Sequence, residues 1–88
     1  MKLNENYIKS NVAGVACVIP VGEAVQEMHG MIKLNATANA IWDQLAAGRN
    51  EDEIVAALAG QFDVSADVLR EDVRAFIGRL RELHILLD

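Results

Sequence analysis

Apolar positions change their spacing near Asn35. Before it, Tyr7–Val12 and residues 15–21 are short runs rich in Val and Ile, parted by Ala13-Gly14, which is the pattern of a β-hairpin. Pro20 lies inside the second run, and a residue without an N–H belongs at a strand end or a sheet edge. Residues 22–30 read as a polar connection. Gly30 then opens a third short strand over residues 31–34.

After Asn35 the apolar period lengthens to about 3.6 residues. Ala38, Ile41, Trp42 and Leu45 share one helix face, with Asn35 placed to cap the start and Gly48 to stop the end, so the first helix is expected over residues 36–47. Asn50 followed by Glu53 resembles a capping box, and Glu51, Asp52 and Glu53 suit the positive end of a second helix that stops near Gln61. Ser65 caps a third and longer helix. Its Leu69, Val73, Phe76, Ile77, Leu80 and Leu83 form a core stripe, and the helical region runs to about residue 84 before the chain closes on Ile85, Leu86 and Leu87. The expected fold class is α+β: a three-stranded antiparallel sheet followed by three helices. Helices two and three, joined by Phe62-Asp63-Val64, have the look of a helix-turn-helix pair.

Eighty-eight residues leave room for one domain, taken as residues 1–88, and for no second core. The net charge is −5, and its distribution matters more than its total. Residues 35–64 carry one basic and five acidic side chains, so acidity collects on the first two helices. Such a balance opposes a role built on phosphates or anionic lipid. The N-terminus has no apolar signal region, and no stretch is long and apolar enough to span a membrane. Cytoplasmic residence is expected, and the single cysteine agrees with a reducing compartment.

Converging chemistry is sparse. His29 and His84 stand far apart with no metal-ligand spacing around either, so no metal site is expected. Cys17 alternates with Val18 in a strand and reads as a small buried thiol. The glycines are spaced as turn residues and build no phosphate loop, so no cofactor is expected. An acyl carrier would also be small and acidic, but Ser65 stands in Asp-Val-Ser-Ala, and a three-stranded start has no place in a four-helix carrier. DNA recognition by the third helix is the alternative that the helix-turn-helix pair raises. Arg70, Arg74, Arg79 and Arg81 favour it, while Asp67, Glu71 and Asp72 at the start of that helix oppose it.

The segment Gly30-Met-Ile-Lys-Leu-Asn-Ala-Thr-Ala-Asn-Ala-Ile-Trp-Asp-Gln-Leu, with Gly48 following, resembles the coenzyme PQQ synthesis protein D family. The likeness continues through Glu53-Ile54-Val55, Leu58, Phe62-Asp63-Val64, Asp72-Val73, Phe76, Leu80 and Ile85-Leu86. Upstream, Val12-Ala13-Gly14 and Val18-Ile19-Pro20-Val21-Gly22 resemble members that stand alone as small proteins. The resemblance implies a winged helix-turn-helix-like domain, three strands packed on three helices, that serves as a non-catalytic recognition element for ribosomally made, post-translationally modified peptides. Such a domain binds the leader of a precursor peptide and presents it to a modifying enzyme, often a radical S-adenosylmethionine enzyme. One departure is His84, near the end of the third helix, where a glycine is usual. If the backbone is left-handed there, histidine carries strain.

Elementary physics allows that mode of binding. A three-stranded sheet has an unpaired edge, and such an edge accepts a further strand by main-chain hydrogen bonds. The expected contacts are Met31, Ile32, Lys33 and Leu34 on the third strand, with Leu69, Val73 and Phe76 as apolar walls from the third helix. Arg70, Arg74 and Lys33 would form a basic rim for an acidic leader. Ordinary core packing and surface charge also account for these residues, and for Val73 and Phe76 core packing is favoured over direct contact. Ile32 and Leu34 point one way and Met31 and Lys33 the other, and alternation alone leaves open which pair faces the cleft. The same edge also admits a folded protein partner, or a homodimer by strand exchange.

Overall fold

Ala13 and Gly14 carry the chain round the hairpin tip with left-handed backbones, φ 53° and 81°, the signature of a two-residue type I′ turn. In a computed structural model, which describes residues 1–26 and 31–87, this turn joins β2 (Tyr7–Val12) to β3 (Val15–Pro20), after a short β1 (Lys2–Leu3). Pro20 is the last residue of β3, across from Tyr7, where its missing donor costs no ladder bond. A 3₁₀ turn at Gly22–Gln26 occupies the first part of the polar connection and buries Ala24. His29 and the strand opening at Gly30 lie outside the described residues.

The third expected strand is β4 (Ile32–Lys33), antiparallel to β3 with Ile32 across from Val18 and Lys33 across from Cys17. It is shorter than residues 31–34, although one more ladder bond runs from the Leu34 N–H to the Ala16 carbonyl at 2.9 Å. The sheet order is β2-β3-β4. Both outer strands are therefore edges.

Three helices follow at the expected places: α1 (Ala36–Ala46), α2 (Glu51–Ala59) and α3 (Ala66–Glu82). The Asn35 side chain accepts the Ala38 N–H at 2.8 Å, and Ser65 Oγ accepts the Val68 N–H at 3.3 Å. Asn50 and Glu53 form the full reciprocal box. After α1, Gly48 at φ 82° closes a Schellman turn, its N–H on Leu45 and the Arg49 N–H on Gln44. The end of α3 repeats this turn with His84 at φ 58°: the His84 N–H donates to Arg81 and the Ile85 N–H to Leu80. The strain that histidine would carry in a left-handed position is present.

One feature of the architecture has no counterpart in the sequence pattern. The closing residues form β5 (Leu86–Leu87), antiparallel to β1 in a separate two-stranded sheet. Asn4 reinforces that pairing, its N–H on the Ile85 carbonyl at 2.7 Å and its Nδ2 on the His84 carbonyl at 2.9 Å. The two chain ends thus bind each other, and β4 is not covered by the tail. Ile54 and Leu58 of α2, Leu69, Val73 and Leu80 of α3, Ile41, Ile85 and Val18 form the fully buried centre. Each such side chain contributes about 1.5–3 kcal/mol by leaving water. Lys9 ties β2 to α1 by pairing with Asp43 and Asn39.

Candidate functional site

In an antiparallel pair, residues directly opposite alternate between those that bond each other and those that turn their N–H and C=O away. Leu34 bonds Ala16, so Lys33, one residue back, directs its main-chain groups away from β3 and toward the open side. Lys33 therefore offers one donor and one acceptor at the free edge of the sheet. Ile32, in phase with Leu34, spends its own on Val18.

The side chains sort by the same alternation. Leu34 is buried and Ile32 half-buried, both packed on the core, while Met31 is 48% exposed with Lys33 on the opposite face. This settles which pair faces the helices: Ile32 and Leu34. β4 runs straight into one wall of a groove of about 320 Å³. That wall is Asn35, Thr37, Ala38 and Ile41 at the start of α1. The other wall is Asp72, Ala75, Phe76 and Arg79 of α3.

Which residues of α3 reach this groove depends on helix rotation. At 100° per residue, Leu69, Val73, Ile77 and Leu80 point to the core, and the helix has a flank on either side of that stripe. Asp72, Ala75 and Arg79 lie on one flank, and Phe76 stands between it and the core. Arg70 and Arg74 lie on the other, against α2, where Arg70 meets Asp52 at 2.8 Å and Arg74 meets Glu51 at 2.6 Å. Of the expected α3 contacts, Phe76 alone lines the groove. Leu69 and Val73, at 1% and 0% exposure, are core residues. Arg79 is the groove's basic residue and was not singled out from sequence as a contact. Its signal was available, since it sits three residues beyond Phe76.

The DNA alternative loses two of its cations to this packing, because Arg70 and Arg74 are spent on the acids of α2. Cys17 is buried and its thiol lies 3.5 Å from the Ser10 carbonyl, a packing role. Among the described residues no cluster of His, Cys, Asp and Glu could hold a metal ion. No helix among them is long and apolar enough to cross a membrane.

An open two-residue edge strand leading into a groove of mixed polar and apolar lining between two helices defines a small α+β domain with a slot for an extended chain. Residues 21–86 match the model of coenzyme PQQ synthesis protein D, and the chain belongs to that family. A similar solved structure is TbiB1 in complex with the TbiA(beta) leader peptide. It shares 20% identity and a TM-score of 0.79 over the full length of both chains, which establishes the common fold. No curated protein matches the chain significantly.

Proposed function

We propose that this protein binds the leader region of a ribosomally synthesised precursor peptide by strand addition at the Lys33 edge, without itself catalysing a reaction. The observation that carries this reading is the outward pair of main-chain groups on Lys33 beside the groove walled by Ala38, Ile41, Ala75 and Phe76. An extended guest satisfies its own backbone on the edge. Its alternate apolar side chains, on the side of Ile32 and Leu34, enter the groove. Lys33 and Arg79 supply positive charge on either side of the guest, which suits an acidic leader. Membership of the PQQ synthesis protein D family supports the reading, as does a structural neighbour whose bound partner is a leader peptide. The bound leader is then presented in the cytoplasm to a modifying enzyme, of the radical S-adenosylmethionine class that the family resemblance implies.

Proline substitution tests this. Lys33→Pro removes an outward donor and leaves the β3–β4 ladder intact, whereas Ile32→Pro removes a ladder bond. The probe is a synthetic acidic peptide of roughly ten residues, the length of one strand, with apolar side chains at alternate positions, and Lys33→Ala controls for the lost charge. Lys33→Pro should weaken binding by about two- to tenfold relative to Lys33→Ala, the worth of one main-chain hydrogen bond. Equal affinities by calorimetry, with both variants folded by circular dichroism, would rule out strand addition at this edge. A regulator that binds duplex DNA would instead show affinity falling steeply with salt.

A further inference from the structure

Main-chain hydrogen bonds at a sheet edge are indifferent to sequence, yet a guest that slips by one residue turns its groove side chains to the wrong face. Something on the protein must fix the register. On the face of the sheet turned away from the helices, Ile8, Val12, Val15 and Met31 are between 43% and 48% exposed, with Ser10, Cys17 and Ile19 beside them. Among the described strand residues, Lys33 is the one charge on this face. Val12, Val15, Cys17 and Met31 join it in lining a shallow apolar hollow. Lys9, Arg70 and Arg74 have acidic partners, whereas among the described residues no ion pair involves Lys33.

We infer that Lys33 is the register-setting residue of the leader site, and that the guest residue directly across from it is acidic. This rests on the strand-addition reading above. The residue across from Lys33 in an antiparallel guest exchanges both main-chain bonds with it, and their side chains emerge on the same face. Slippage by one position would put an apolar side chain against the ammonium group and move the acid into the groove, where Arg79 stands with the carboxylate of Asp72 and the apolar walls of Phe76 and Ile41. The apolar hollow offers an acid no competing partner. The same charge disfavours a second copy of this protein, since symmetric pairing of two β4 strands about Lys33 brings the two lysines together.

The experiment is selection of a displayed library of random peptides, long enough for one strand at roughly ten residues, on the wild-type protein, Lys33→Glu and Lys33→Met. The inference expects wild-type binders with alternating apolar residues and an acid at one fixed place on the opposite phase. Lys33→Glu should enrich Lys or Arg at that place, and Lys33→Met should show no charge preference there. Synthetic peptides differing only at that residue should differ about 1.5- to 5-fold in affinity for the wild type, the range of a cross-strand charge pair, and less at high salt. Alternating apolar binders with the same charge preference on all three proteins, or with none, would overturn the register role and leave strand addition standing. Binders lacking any period of two would overturn both.

Discussion

Replacing His84 by glycine should stabilise the protein, and the size of the effect follows from one dihedral angle. His84 has φ 58° because the Schellman turn after α3 needs a left-handed residue to bring the Ile85 N–H back to Leu80 and to aim the His84 carbonyl at Asn4. A Cβ in that conformation costs about 1–2 kcal/mol, which glycine avoids. Glycine returns about 0.5–1 kcal/mol of that gain through its freer unfolded chain. The imidazole is exposed, so its removal leaves no cavity. His84→Gly should therefore gain between about 0 and about 1.5 kcal/mol net, centred on about 0.75 kcal/mol, worth several degrees in Tm for a domain this small. Urea unfolding followed by the fluorescence of Trp42, which is 5% exposed and the sole tryptophan, reads it directly. The decisive comparison is glycine against alanine, because the two differ at this position by the Cβ alone. Stability should fall in the order glycine, asparagine, alanine at unchanged m-value. A His84→Ala protein as stable as His84→Gly would mean that the turn is not left-handed in solution, and the reasoning would fail.

Ala13→Asn applies the same logic at the hairpin tip, where φ 53° suits asparagine better than alanine. Its unfolding midpoint should rise, by less than His84→Gly raises it. Ala75→Trp places a large side chain in the groove from an exposed helix position, so it should abolish leader binding in calorimetry while changing stability by no more than about 0.5 kcal/mol. Arg74→Ala breaks an exposed ion pair with Glu51 and should cost about 0.2–1 kcal/mol. Because Arg74 lies on the far flank of α3, the same variant should bind leader as the wild type does. A tenfold loss would place the site on that flank instead.

Much of this protein is written locally. The turn residues Ala13-Gly14, the caps Asn35, Asn50 and Ser65, and the stop at Gly48 each act within a few positions, so composition and spacing predict the hairpin and all three helices to within two residues. The ends of α2 and α3 came out shorter than the apolar pattern suggests. Phe62 packs on the core from the turn after α2, whereas Leu83, expected in the core stripe, caps the end of α3 and is exposed, because the chain leaves the helix there.

What the sequence could not determine is whatever depends on partners far along the chain. β1 and β5 are two residues each, too short to show a period, and each is a strand only because the other is beside it. The rotation of α3 is set by α2 on one flank and α1 on the other. A linear pattern identifies its buried stripe but not which flank stays open, so the pattern offers Arg70 and Arg74 as readily as Arg79, and only the packing of α2 against the first two leaves Arg79 at the groove. The outward turn of Lys33 likewise requires the β3 register, since alternation names two phases and only the bond from Leu34 to Ala16 chooses between them.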